Sequence, residues 1–412
     1  MSVLPRAAIL FLFILQPDWS SAQSNEPKPL FRIRTITAGV NLKSLDDLGT
    51  IREAATFLAA ARKRFESAGY EVQTLRIATQ SLLEFGPLNA ASLTKIKAMD
   101  VLLDSRKMIM AIGPVQLEDR YDPHLPGWIV KLMQQTEHIS CSMVIASERG
   151  IQMKAARGAA ETILAISRET PAGEGNFRFT AIANVPANAP FFPAAFHVGE
   201  PSFGIGLESP GLLIEAFKGA KNFPEAKGRL KKLMTEKLQG VEQIALKVSR
   251  DHHRSYDGID TSPAPGLDAS IGEAIEVLTG QRFGHVSTLS ACAAITQVIQ
   301  NIDIRRCGFS GLMLPIVEDK ILAKRALQKT FTVSELLLYS SVCGTGLDVV
   351  PIAGDTPVEK IERLLIDVAS LSHRLSRKPL SARLFPIPGK RAGEPVSFDN
   401  PYLTDSIVMP LD

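Results

Sequence analysis

A thiol, three glycines and two carboxylates crowd into Val342–Thr356, which reads Val-Cys-Gly-Thr-Gly-Leu-Asp-Val-Val-Pro-Ile-Ala-Gly-Asp-Thr. Cys343, beside a Gly-x-Gly turn, is a candidate nucleophile, because a nearby helix N-terminus depresses a thiol's pKa. A free cysteine serves equally well as a small buried filler. Gly344 and Gly346 permit backbone angles that other residues resist and let a ligand approach the main chain. Asp348 and Asp355 bracket the turn as candidate acid/base groups. Asp355 also precedes Thr356-Pro-Val-Glu359, which reads as an N-cap, a first-turn proline and a capping box, so it can equally belong to that helix start.

Glu200, Glu208 and Asp260 stand at or near other expected strand ends or in glycine/proline-rich turns. Paired acids do acid/base work or hold a hard divalent cation through oxygen ligands, and Glu200, Asp260 and Asp348 are the candidate metal ligands. Carboxylates gathered at one rim need a cation, a basic substrate group or a proton to answer them, since like charges raise one another's pKa. Capping without any ion is the alternative reading. His197 and His285 sit in loops, His285 as a candidate general base and His197 as a ligand contact. Ser209-Pro-Gly211 is a capped helix start behind Gly204-Ile-Gly206, which presents amide donors to an anion. Arg383 and Lys390, near a Pro-Ile-Pro-Gly turn, can bind an acidic substrate.

Several classes are disfavoured. No Gly-x-Gly-x-x-Gly follows an expected strand, and neither a Walker A loop nor His-Glu-x-x-His occurs. A formal charge of +3 with no long basic run gives no footprint for nucleic acid. With 45% hydrophobic and 22% charged residues, the 412-residue chain can bury a large core. Arg6, the apolar run Ala7–Leu15 and Ser20-Ser-Ala22 form the three parts of an export leader. Residues 1–22 are therefore expected to be a signal peptide, with an uncleaved anchor as the alternative, and 23–30 a short linker. No later segment offers about 20 uninterrupted apolar residues, so no membrane is expected as a partner of the exported chain. Four cysteines without a CxxC leave the pairing of Cys292 with Cys307 open.

The elements that must position these groups alternate. Phe31–Thr37 reads as a strand, a helix starts near Ser44, and Glu71–Ala78 is the next strand, a βαβ unit whose strands should be parallel. Helical Leu93–Leu103, strand Met108–Ile112, helical Trp128–Thr136, strand Ile139–Ala146, helical Ile151–Ile166 and strand Phe177–Ala183 follow. Asn184–Phe203, with four prolines, is a long irregular segment of the kind that is often functional. Beyond it come a long helix over Glu225–Arg250, a strand over Asp257–Ser262, helices over Ala269–Leu278 and Ser287–Gln300, and a strand-like Gly308–Leu314 leading to a helix start at Glu318-Asp319. One α/β domain over 31–412 is expected, with closed barrel and open doubly wound sheet both compatible with the pattern.

The stretch Val342–Thr356, together with Ile33–Leu42, Val198–Phe203, Ser209–Leu212, Asp260–Pro265, Phe309–Pro315 and Arg383–Lys390, resembles in order a microbial family known only as a domain of unknown function, number 711. The resemblance implies a β/α barrel related to that of pyruvate formate-lyase and the other glycyl radical enzymes. It does not bring their chemistry: Phe398–Asp412 contains no glycine where such enzymes carry an Arg-Val-x-Gly-Tyr-like segment, so no glycyl radical is expected. Where relatives have a Gly-x-His-Gly-Thr-Thr-like stretch, His285 is displaced by one place and two glycines are missing. The resulting expectation is an exported enzyme acting on a small polar or acidic metabolite, with a divalent cation as a possible cofactor. The alternative is a solute-binding protein using the same pocket without turnover.

Overall fold

The computed structural model describes residues 29–411 apart from Leu267; the expected leader and most of the linker lie outside the described residues. In chain order the first half runs β1 (Arg32–Val40), α1 (Leu48–Glu66), β2 (Val72–Thr79), α2 (Ala90–Arg106), β3 (Ile109–Pro114), α3 (Leu125–Gln135), β4 (Ile139–Ser147), the short β5 (Gly150–Ile151), α4 (Met153–Glu169) and β6 (Phe179–Ala183). The second half continues with β7 (Ser202–Glu208), α5 (Pro210–Phe217), α6 (Phe223–His252), β8 (Ser255–Ala264), α7 (Ile271–Thr279), α8 (Thr288–Ile299), α9 (Lys320–Leu327), α10 (Val333–Ser340), β9 (Gly346–Ala353), α11 (Val358–Arg374) and β10 (Leu380–Ile387). A two-residue hairpin, β11 (Pro395–Val396) with β12 (Ser406–Ile407), ends it.

The strands form one mostly parallel sheet in the order β8-β7-β1-β2-β3-β4-β6-β10-β9, with β5 beside β4. The βαβ units make β1, β2, β3, β4 and β6 parallel, as their alternation with helices predicts. β7 and β10 then join the outer strands of this block antiparallel, and each carries a parallel neighbour, β8 and β9.

Strand periodicity divides the side chains between two faces. On β2, Leu75 and Ile77 enter the large helix-covered core, while Ala78 packs on the opposite face against Ala111, Ala195 and Phe192. That second face is covered by the chain's own irregular segments. Val185, Ala189 and Ala194 pack with Phe309 on Ile182, and Phe191 and Met313 pack on Ala264. The expected irregular segment beginning at Asn184 thus covers part of the sheet's inner surface, at Ala78, Ala111, Ile182 and Ala264.

The sheet curls strongly. Arg34 on β1 and Arg383 on β10 are five steps apart along the strand order, yet both bond to the Glu318 carboxylate; in a flat sheet they would be about 24 Å apart. The closed barrel implied by the resemblance is not what the ladders draw, because β8 and β9 remain edges of the path. The expected strand Gly308–Leu314 is not one either. Gly308 and Ser310 have positive φ, the flanking residues make only isolated bridges to the two edges, Arg306 with Ile259 and Pro315 with Asp348, and the segment itself is held to β8 by bonds to the side chains of Asp260 and Ser262 rather than by a ladder. Among the described residues no helix is long and apolar enough to cross a membrane.

Candidate functional site

The stretch Val342–Thr356 is mostly strand rather than loop, since β9 begins at Gly346 and its apolar run lies buried in the sheet. Its glycines serve backbone contact. A Cβ on Gly344 would stand 2.0 Å from Gly311 Cα, so two main chains touch there, and Gly344 N–H donates to Leu312 O at 3.0 Å. Gly346 has φ 90°, and a Cβ would meet Ser381 O at 2.2 Å. Cys343 lies wholly inside the helix-side core, the surroundings of a filler. Cys141, Cys292, Cys307 and Cys343 are all free thiols. Asp355 is exposed in the turn before α11, whose N-cap is Pro357 with no side-chain cap; the Thr356 hydroxyl instead donates to Ala353 O.

The concave face carries charge in a pattern set by β-bulges. Between Ala382↔Leu347 and Leu384↔Val350, β9 has two residues, Asp348 and Val349, opposite the single Arg383. Between Ile33↔Leu207 and Thr35↔Gly206, β1 carries the extra Arg34. Such irregularities re-aim side chains that strict alternation would send to the other face. Arg383 donates to Asp348 at 2.7 Å and to Glu318 at 2.6 Å. Arg34 donates to Glu318 at 3.2 Å, to Glu208 at 3.3 Å and to Pro265 O at 3.0 Å. Arg32 bridges Glu208, at 2.8 Å, and the half-exposed Glu71, at 2.7 Å; Gln73 also donates to Glu208. Burial opposes the charge of Arg383, but Asp348 and Glu318 outweigh it and raise its pKa.

Arg76 belongs to the same face but not to these pairs. It is 8% exposed, its Nε donates to Thr74 Oγ1 at 3.1 Å, and its guanidinium lies 5.1 Å from the Phe192 ring centre. Among the described residues no carboxylate comes within ion-pair distance of it. Burial, assisted by Arg34, pushes its pKa down to about 9. Arg383 mirrors this stacking, 4.9 Å from the centre of Phe177, which is itself stacked on Tyr402.

The other expected site residues go elsewhere. Asp260 is fully buried and accepts from the amides of Ser262, Phe309 and Ser310, so it holds the 307–313 loop against the sheet; burial raises its pKa. Glu200 is exposed in the turn before β7. Of the three carboxylates named for a cation, Asp260 answers to amides, Asp348 to Arg383, and Glu200 is exposed, and among the described residues no three His, Cys, Asp or Glu side chains come together as a metal-ligand set. Ser209 is the N-cap residue of α5, but its buried hydroxyl makes no cap bond, and Gly211 lies against the backbone of Leu30. His285 is exposed in a turn between α7 and α8, and Lys390 is exposed after β10. Asp319 caps α9 as its position suggested, and it also accepts from Ile271 and Gly272 at the start of α7.

His197 is fully buried, with Nδ1 2.8 Å from Asn188 Oδ1 and Nε2 3.0 Å from Gly199 O. Burial lowers its pKa. The ring occupies the space over Gly39, where a Cβ would stand 2.2 Å from Nδ1. Gly39→Ala is expected to cost about 1–3 kcal/mol by overpacking, read as a denaturant midpoint, and His197→Ala in the same chain is expected to recover part of that loss. Asn188 also donates to Asp257, which accepts from Ser202 at 2.6 Å and whose pKa burial pushes up to about 6. Since the folded carboxyl holds its proton to a higher pH than the unfolded one, its stabilising contribution is present in acid and lost as pH rises through about 6. Wild type should therefore gain thermal stability relative to Asp257→Asn as pH falls from 7 to 5; a pH-independent difference between the two would refute the assignment.

Sequence reasoning named Asp348 and Arg383 but missed Arg34, Arg76 and Glu318. The signal for Arg76 was present in Leu75-Arg-Ile77, a cation alternating with core residues inside a strand.

Fold and site together define an α/β protein whose curled, helix-backed sheet encloses a buried ionic cluster. The chain belongs to the family described as "Uncharacterised ACR (DUF711)", whose model matches residues 27–399. It is 28% identical over 403 residues to a UPF0210 protein of Pyrobaculum arsenaticum, covering 89% of this chain and 88% of that one. It is 26% identical over 402 residues to a UPF0210 protein of Carboxydothermus hydrogenoformans, with the same coverage. A UPF0210 protein of Methanopyrus kandleri is 29% identical over 278 residues, covering 65% of this chain and 61% of that one.

Proposed function

We propose that this protein takes a small acidic metabolite into the charged hollow of its curled sheet. The observation that carries the reading is the convergence of Arg34, Arg76 and Arg383 on one inner surface with Glu318 and Asp348. Buried charges are retained where they are paired or where they meet a ligand. Turnover of that metabolite is the enzymatic form of the proposal. Holding it unchanged is the second form, favoured by one feature: Glu318, Asp348 and Glu208 are engaged by arginines, and Asp260 by backbone amides. The same reading treats the sheet as a barrel interrupted between β8 and β9, supported by its curl and by the two bridges of the 306–315 segment. It places the protein outside the cytoplasm through the leader-like residues 1–22.

Native mass spectrometry of the full chain, gently purified and then titrated with a panel of small carboxylic acids and phosphate esters, tests the function. The expected result is one acidic molecule retained per chain. A chain that emerges bare and binds none of the panel would overturn the proposal. N-terminal sequencing of the secreted fraction tests the leader, with a start near residue 23 expected.

A further inference from the structure

We propose that Arg76 is the anion receptor of this hollow, holding a single oxyanion group, carboxylate or phosphate, on the two terminal nitrogens of its guanidinium. The assignment rests on reading the hollow as a ligand site and adds which residue receives the ligand and through which chemistry.

The buried carboxylates are already used. Glu208 answers Arg32 and Arg34, Glu318 answers Arg34 and Arg383, and Asp348 answers Arg383, each within 2.6–3.3 Å. Arg76 is the cation of the set left over. Among the described residues its one side-chain bond runs from Nε to a neutral hydroxyl, Thr74 Oγ1. Among the described residues its terminal nitrogens make no hydrogen bond or ion pair, and the residue keeps 8% of its surface exposed.

The guanidinium is also held in place before any ligand arrives. Thr74 fixes one edge, and Phe192, brought in by the irregular segment after β6, lies against it. Phe192 is held in turn by Ala78, Ala111 and Ala195. A planar fork with its two outer donors unspent and its ring-facing side covered matches an oxyanion bidentately. A protein-supplied carboxylate could have satisfied the same fork, as it does for Arg383. Leaving a buried cation unanswered costs stability unless an exogenous anion completes it.

The test uses the full chain with two probes, inorganic phosphate and succinate, by isothermal titration and thermal unfolding in a buffer whose only other anion is dilute chloride. Wild type should bind at least one probe saturably and unfold at higher temperature as its concentration rises; which probe binds tells phosphate from carboxylate. Arg76→Met should bind that probe about tenfold more weakly or worse, the worth of a charge-assisted bond. It should also be no less stable than wild type in probe-free buffer, because an unpaired buried charge has been removed. Arg76→Lys should bind with intermediate strength, keeping the charge without the fork.

Unchanged affinity in Arg76→Met would overturn the receptor while leaving an acidic ligand in the hollow intact. An Arg76→Met chain that loses stability in probe-free buffer would make Arg76 a structural cation and also overturn it. Failure of wild type to bind either probe, in a chain that retains an acidic molecule by native mass spectrometry, would reject Arg76 alone. Failure of both measurements would reject the hollow as well.

Discussion

Arg383→Met is expected to lower the unfolding free energy by about 3–5 kcal/mol, the cost of breaking a buried ion pair from one side. Its guanidinium is the only side-chain partner of Asp348 among the described residues and shares Glu318 with Arg34. Methionine has similar bulk and leaves the stacking space against Phe177 occupied, so the loss is electrostatic rather than a cavity. Chemical denaturation gives the value. The double variant Arg383→Met with Asp348→Asn, which removes the stranded charge, should recover part of it. An Arg383→Met chain as stable as wild type would show that Asp348 and Glu318 are solvated and that the cluster is not a closed ionic unit.

The second large effect belongs to Gly344→Ala, expected to cost about 3 kcal/mol or more, at the upper end of overpacking losses. At Gly39 the added methyl meets a histidine ring, a group that can swing. At Gly344 it meets the main chain of Gly311 at 2.0 Å, and Gly311 is held by its own amide bond to Ser262 Oγ at 3.0 Å. Relief therefore requires one loop to move off the other, which also weakens the Gly344 N–H to Leu312 O bond. A ranking with Gly39→Ala more harmful than Gly344→Ala, in denaturant midpoints of matched preparations, would contradict the contact.

Most helices and the first parallel strands were legible because periodicity reports burial, and burial there is decided locally; α10 (Val333–Ser340) was not read. Glu225–Arg250 became α6 (Phe223–His252), and Ser287–Gln300 became α8 (Thr288–Ile299), each within two residues. β9 and β10 were not legible as strands. A fully buried strand reads as a plain apolar run, and the glycines and Pro351 in or beside β9 look like turn residues when the edge position and bulge that admit them are unknown. The charged cluster was half legible for a related reason. Asp348 stood out beside glycines, whereas Arg34 and Glu318 meet only because the sheet curls across five strands, a fact no local window contains. The expected family is confirmed by the match over residues 27–399.

The strand order also carries a timetable. β1 through β6 pair with near neighbours in the chain, each closing a short loop, so that block can assemble from local units. β7 must then return to β1, aligning Glu208 with Arg32, and β10 must return to β6, aligning Leu380 with Ala183. The covering of the inner face arrives on the chain between β6 and β7, which delivers β7, and on the chain between β8 and β9, which delivers β9, the parallel neighbour of β10. Contact order therefore favours early pairing of the five-stranded block, and the ionic cluster, which needs β1, β9, β10 and Glu318 together, is expected to form late.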